Sequence, residues 1–261
     1  MLEVSNLSVN YYCGDKTIEA VKDISFGVNR GETLGILGES GSGKSTIAHA
    51  ILNLISLPGK IVSGKIMLEN SNILSLKEKE LIKIRGEKIS IIFQDPFTSL
   101  NPVYSIGEQI AETIKLHQGV SRNESWKRAV EMLEIVQIKE AKIRAKDFPH
   151  QFSGGMKQRV MIAMALACQP EYLIADEPTT ALDVTIQAEI LTLLKDVQKK
   201  YNLGIIYITH NFGIIKKICD RVLVVYKGNI AEEGTPEQIL KAPQNEYTKK
   251  LINCLRELKN D

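Results

Sequence analysis

The chain has 261 residues, enough to bury a full core as one large domain or two small ones. With 44% hydrophobic and 25% charged residues, a net charge of +2 and no basic block, it reads as an ordinary globular protein for which nucleic acid is not the main partner. No apolar run reaches the roughly 18–20 residues that span a bilayer, Met1-Leu2-Glu3-Val4 does not read as a secretion signal, and Cys13, Cys168, Cys219 and Cys254 are scattered without a Cys-x-x-Cys pair, as expected of reduced packing groups in a cytosolic protein.

In chain order, residues 2–9 and 18–28 read as strands, because Ile24, Phe26 and Val28 alternate with polar neighbours. The link between them reads as irregular and carries Tyr11 and Tyr12. Either ring could stack on a purine or simply pack against an edge strand.

The apolar stretch Thr33–Leu37 feeds Gly38-Glu39-Ser40-Gly41-Ser42-Gly43-Lys44-Ser45-Thr46, and a helix-like stretch follows to Leu54. Gly38, Gly43, Lys44 and Ser45 fit the phosphate-loop pattern G-x-x-x-x-G-K-[ST] in the strand–loop–helix context it requires. Polyphosphate is a dense anion, so the loop must turn backbone N–H groups inward. Gly38, Gly41 and Gly43 allow φ > 0 and close approach. A helix starting near Lys44 adds its positive end. Lys44 is placed to reach the β and γ phosphates, and the Ser45 hydroxyl to hold magnesium. The sequence therefore predicts nucleotide binding.

Leu57-Pro58-Gly59 breaks the chain. Ser63–Leu68 reads as a strand, 77–85 as a charged helix, and Ile89–Phe93 as a short strand halted by Pro96. Gln94 thus stands at a strand's carboxyl end, where parallel α/β sheets gather ligands. Residues 105–165 read as helical throughout. Ser121 to Glu124 suggest a capping box, with Trp126, Val130, Leu133 and Val136 as apolar positions. This is a helical insertion into the α/β core. Ser153 N-caps a further helix, and Gly154-Gly155 leave its first N–H groups bare, a second anion-binding helix start.

Tyr172–Asp176 is an apolar strand ending in Asp176-Glu177. Acids abutting a core strand need partners. Asp176 suits a magnesium shell, and Glu177 can orient or deprotonate an attacking water. Asp183 opens a helix over 185–200. Ile205–Ile208 is another strand, delivering His210 at its carboxyl end. Val222–Val225, a Lys227-Gly228-Asn229 turn and Ile230–Glu232 read as a hairpin. Asn245 caps a last helix with Tyr247, Leu251, Leu255 and Leu258 along one face.

With the phosphate loop, Gln94, Ser153-Gly154-Gly155, Asp176-Glu177, Asp183 and His210 in this order, the chain resembles the ATPase subunit of ABC transporters over residues 1–255. The wording around Gln94–Pro102, Phe148–Met156 and Asp176–Thr185 is similar to the dipeptide, oligopeptide and nickel importers of prokaryotes. The resemblance implies an α/β P-loop fold with a RecA-like core (1–97 and 166–235), an N-terminal antiparallel β subdomain, an inserted helical subdomain (98–165) and a helical tail (236–261), all one ABC ATPase domain.

It implies that Tyr11, or else Tyr12, stacks on adenine and that residues 38–46 cradle the phosphates of ATP. Ser45, Gln94 and Asp176 surround Mg2+, with Gln94 also relaying to the membrane partner. Glu177 is the base, and His210 contacts the γ-phosphate. Ser153, Gly154 and Gly155 close over ATP held by a second ATPase subunit, identical or distinct, and Asp183 bridges the two sites. The remaining implied partners are two transmembrane permease subunits and, indirectly, an extracytoplasmic solute-binding protein, with the ATPase peripheral on the cytoplasmic face of the membrane. The resemblance has limits. The signature is Phe-Ser-Gly-Gly-Met where the family at large favours Leu-Ser-Gly-Gly-Gln, and the tail holds only Cys254 where longer peptide importers cluster cysteines for an iron–sulfur centre, so no such cluster is expected. The alternative class is a soluble ABC-type ATPase acting on nucleic acid or ribosomes.

Overall fold

The computed structural model describes residues 1–94, 99–180 and 182–257. In chain order the elements are strands β1 (Leu2–Cys13), β2 (Lys16–Val28) and β3 (Thr33–Leu37), helix α1 (Lys44–Ile51), strands β4 (Gly59–Leu68) and β5 (Ser71–Asn72), helix α2 (Glu78–Glu87) and strand β6 (Ile89–Ile92). Helices α3 (Ile106–Gln118), α4 (Arg122–Ile135), α5 (Ala141–Arg144) and α6 (Gly154–Leu166) follow, then β7 (Tyr172–Asp176), α7 (Val184–Tyr201), β8 (Gly204–Thr209), α8 (Phe212–Ile218), β9 (Arg221–Tyr226), β10 (Asn229–Gly234), α9 (Pro236–Lys241) and α10 (Glu246–Glu257). The halt expected at Pro96 and the position of Leu258 lie outside the described residues, as do the side chains of Cys254 and Leu255. Among the described residues no helix is long and apolar enough to cross a membrane.

The chain forms two compact units, one of Met1–Lys77 with Gly204–Asp261, the other of Glu78–Leu203. The first unit holds an antiparallel sheet in the order β2-β1-β4-β5 and a set of strands in the order β10-β9-β3-β8. β3 runs parallel to both β8 and β9, while β9 and β10 form an antiparallel hairpin. Every residue of β3 and β8 is buried. That is why these segments read as unbroken apolar runs and not as alternating ones. The hairpin turn is Lys227-Gly228, both at positive φ (47° and 83°), since Asn229 already pairs with Tyr226. Two left-handed residues in a two-residue loop match the twist of the strands they join.

Two expectations for this unit change. Tyr11 and Tyr12 do not sit in an irregular link: β1 runs to Cys13 and pairs with β2 up to Lys16. Main-chain pairing on both sides, Tyr11 with Ile18 and with Gly59, holds a strand there. The side chains give no alternation because Tyr12 and Ile18 are exposed. β4 likewise begins at Gly59, four residues ahead of the apolar stretch.

In the second unit β6 and β7 pair in parallel. Its helices start on side-chain caps: Ser105 and Glu108 form a full capping box for α3, while Ser121, Ser153 and Asp183 cap α4, α6 and α7. At Ser121 the box is half made. Glu124 turns its carboxylate to Arg128, 2.7 Å away. Arg159 on α6 donates to the Val136 carbonyl just past α4 and to Glu189 on α7, joining three helices through one guanidinium.

Candidate functional site

In the first unit β3 delivers the chain into the loop 38–43, and Gly43, at φ 108°, caps α1. The loop has no room to move backwards. A Cβ on Gly38 or Gly43 would lie nearer than 3.0 Å to the main-chain oxygen of Val225 or Ala20 respectively. Gly228 N–H donates to the Ser42 carbonyl at 3.0 Å, and Ser42 N–H to that of Glu39 at 3.2 Å. Lys44 is buried, and its Nζ donates to the carbonyls of Gly38 (2.9 Å) and Glu39 (2.8 Å). An ammonium drawn across the mouth of a glycine loop is placed for a polyanion. The front of the loop is open: Glu39, Ser40, Gly41 and Ser45 are exposed, and Thr46 is half-buried. The enclosed Ser42 hydroxyl has no hydrogen-bond partner within the protein. This loop fits a nucleotide polyphosphate.

His210 leaves β8 at the level where Gly38 leaves β3, because Leu37 is paired with Thr209. Thr209 Oγ1 accepts from Asn211 N–H at 3.0 Å, and Asn211 caps α8, so the backbone on both sides of His210 is fixed while its ring stays exposed. Of the two candidate tyrosines, Tyr11 is half-buried with its ring edge over Gly59, where a Cβ would lie 2.7 Å from Cε1, and Tyr12 is 45% exposed.

In the second unit the register of β6 on β7 pairs Ile92 with Ala175. Gln94 and Glu177, each two residues further on, therefore emerge side by side, and Gln94 Nε2 donates to Glu177 Oε2 at 3.3 Å. Thr180 Oγ1 donates to the same carboxylate at 3.1 Å and to the Glu177 carbonyl at 3.2 Å. Glu177 adopts φ 45°, which turns the chain sharply after the buried Asp176. Sequence reasoning missed Thr180. Its only signal is the threonine spacing Glu177-x-x-Thr180, which places a hydroxyl one turn back over the carboxylate.

Ser153 Oγ accepts from Met156 N–H at 3.4 Å, so the start of α6 is capped with Ser153 itself exposed. Gly155 packs against α7, where a Cβ would lie 2.6 Å from Ile186 Cγ2. Asp183 spends one carboxylate oxygen on Ile186 N–H, at 2.9 Å. Among the described residues no three His, Cys, Asp or Glu stand together as a metal cluster. The donors named for magnesium, a Ser45 hydroxyl, a Gln94 amide oxygen and one Asp176 carboxylate, are hard oxygen ligands of the sort that cation takes alongside phosphate and water.

The ABC transporter family profile matches residues 21–180. The chain is 49% identical over 258 residues to the oligopeptide transport ATP-binding protein OppD of Haemophilus influenzae, covering 99% of this chain and 80% of that protein. It is 50% identical over 264 residues to the glutathione import ATP-binding protein GsiA of Escherichia coli, covering 99% of this chain and 42% of GsiA. Among solved structures it is similar to the dimeric, post-hydrolysis state of the ATP-binding cassette MJ0796 bound to ADP and Pi, with a TM-score of 0.80 and 32% identity, over 90% of this chain and 99% of that one. With a glycine loop and buried lysine on one unit, and a buried aspartate followed by a clamped glutamate on the other, the chain belongs to the ABC transporter family as an ATP-binding, ATP-hydrolysing subunit.

Proposed function

We propose that this chain energises a peptide importer, hydrolysing ATP as one of a pair of ATPase subunits on the cytoplasmic face of a membrane, beneath two membrane-spanning permease subunits. The observation that carries the chemistry is Glu177, the residue after the buried Asp176, held at once by Gln94 and Thr180. A carboxylate fixed by two hydrogen bonds and still half-exposed can orient a water and accept its proton. The oligopeptide and glutathione relatives both carry peptides by name, which favours peptides over nickel as cargo.

In this reading the loop amides and Lys44 neutralise the triphosphate, and Tyr11 stacks on adenine. Ser45, Gln94 and Asp176 would hold Mg2+, which would supply charge neutralisation for the phosphates. The water oxygen forms a bond to the γ-phosphorus as the bond to the ADP oxygen breaks. Glu177 takes the water proton, and His210 holds a γ-phosphate oxygen. Ser153, Gly154 and Gly155 act on ATP held by the second subunit, and Asp183 links the two sites. A hollow in the second unit supports the reading of a surface for the permease partner. It has a volume of about 780 Å³ and is lined by Trp126 together with Lys115, Arg122, Lys146, Glu108 and Glu112, side chains of both charge signs.

The test is Glu177→Gln. It should leave ATP affinity intact and abolish turnover; hydrolysis at near the wild-type rate rejects Glu177 as the base. Activity stimulated by RNA or DNA, and not by permease subunits in detergent or lipid, would favour the nucleic-acid class instead.

A further inference from the structure

The tail that follows β10 has no part in the chemistry described above, yet it reaches the phosphate loop. Its attachment is firm. Gln244 and Asn245 both donate main-chain N–H to the Glu232 carboxylate, at 2.8 and 3.1 Å, and Asn245 Nδ2 donates to the Ala231 carbonyl at 2.9 Å. Asn245 Oδ1 then accepts from Tyr247 N–H at 2.8 Å and starts α10. Charge-assisted bonds to β10 of this kind fix where the first turn of the helix lies.

That first turn presents Tyr247. Its ring lies on the ring of Tyr226 with centroids 3.9 Å apart and planes 25° from parallel. Tyr226 is the last residue of β9, and the next two residues are the Lys227-Gly228 turn that donates to the Ser42 carbonyl. The Tyr247 hydroxyl is enclosed. What it faces is Glu39: burial, and then the Glu39 carboxylate, raise its pKa, while the Glu39 main chain acts in the opposite sense. The same Glu39 offers its carbonyl to Lys44 Nζ and to Ser42 N–H. One side chain of the tail thus bears on both shoulders of the loop, directly at Glu39 and through Tyr226 and Gly228 at Ser42.

We propose that Tyr247 is a positioning residue for nucleotide binding: stacked on Tyr226 and set against Glu39, it braces the loop residue whose carbonyl receives Lys44. The proposal rests on the ATP-binding role given to the loop. It predicts that the tail tunes affinity for ATP and leaves the hydrolytic step alone, since Glu177, Gln94 and Thr180 belong to the other unit. Misplacing a binding group by a fraction of an ångström is costly where charge meets charge.

The experiment compares Tyr247→Ala and Tyr247→Phe in the full chain, reading Kd for ATP by calorimetry without magnesium and kcat at saturating Mg-ATP. The alanine variant should weaken ATP binding by about tenfold with kcat within about twofold of wild type. The phenylalanine variant keeps the stack and loses the hydroxyl, so it should recover most of the affinity and remain measurably weaker than wild type. A Kd unchanged in the alanine variant, or a fall in kcat at unchanged Kd, overturns the proposal. Should the alanine variant not fold, Tyr247→Leu takes its place on the same readout. The Kd arm needs no turnover, so a wild-type chain that binds ATP without hydrolysing it would sink the ATPase reading and still let the affinities decide the role of Tyr247.

Discussion

Gly41 and Gly43 stand two residues apart in one loop, both at positive φ, 77° and 108°, but their surroundings differ. Around Gly41 nothing lies within 4 Å of a built Cβ, whereas at Gly43 the Ala20 carbonyl lies nearer than 3.0 Å and Gly228 Cα at 3.7 Å. Alanine at Gly41 meets only the left-handed backbone cost of about 1–2 kcal/mol, offset by about 0.4–1 kcal/mol from a stiffer unfolded chain, a net loss of about 1 kcal/mol. Alanine at Gly43 meets the same backbone cost and must also displace a main-chain oxygen of β2. That oxygen cannot rotate away as a side chain would. Lys22, two residues on in β2, donates to the Gly228 carbonyl, so the hairpin turn resists as well. Overpacking of this kind adds about 1–3 kcal/mol, bringing the total to about 2–4 kcal/mol, a large part of a stability of about 5–15 kcal/mol. Denaturant unfolding of the two variants measures the difference, and ATP titration reads the loop itself. Gly41→Ala should fold near normally and bind ATP weakly, because its methyl points into the open mouth. Gly43→Ala should lose both stability and binding. Equal stability losses in the two variants would refute the claim that the β2 backbone forms the floor of the loop.

Thr180→Val keeps the shape of the side chain and removes a hydrogen bond that holds the Glu177 carboxylate; kcat should fall by about tenfold with the ATP Kd unchanged. Cys168 is buried with its thiol pushed up to about 11, by burial first and by Glu87 second. Between pH 9 and 11 the unfolded chain therefore loses a proton that the folded chain keeps, and stability falls as pH rises through that window. Cys168→Ala should flatten that part of the stability–pH curve measured by unfolding, and a variant with the wild-type slope would contradict the assignment.

How much of the fold and site is legible in the residues depends on what kind of force places each group. The phosphate loop can be read because its requirements are covalent and local: glycines at positive φ (Gly41, Gly43) or pressed on a main-chain oxygen (Gly38), and a lysine six residues after Gly38. The buried strands β3, β7 and β8 can be read because burial on both faces leaves no polar run to interrupt them. The strand through Tyr11 and Tyr12 cannot, because pairing by main-chain atoms leaves no mark on side-chain identity where neither face is fully buried. The clamp on Glu177 lies between these cases. Its two ends are legible as polar residues after apolar strands, but their contact follows from the register of β6 on β7, and a shift of one residue would turn Gln94 to the other face. Thr180 is invisible for a related reason. Its role comes from the φ of 45° at Glu177, a backbone feature that the residue type itself does not announce. The same holds for Tyr247, which as a sequence is an apolar position on a helix face and as a structure bears on Glu39, 208 residues earlier in a chain of 261. Local chemistry in this protein is written in composition, whereas the parts that aim it are set by register and by distant packing. Conservative substitutions at Thr180 and Tyr247 therefore probe the site more sharply than alanine at Lys44, which removes the ligand contact and says nothing of what aimed it.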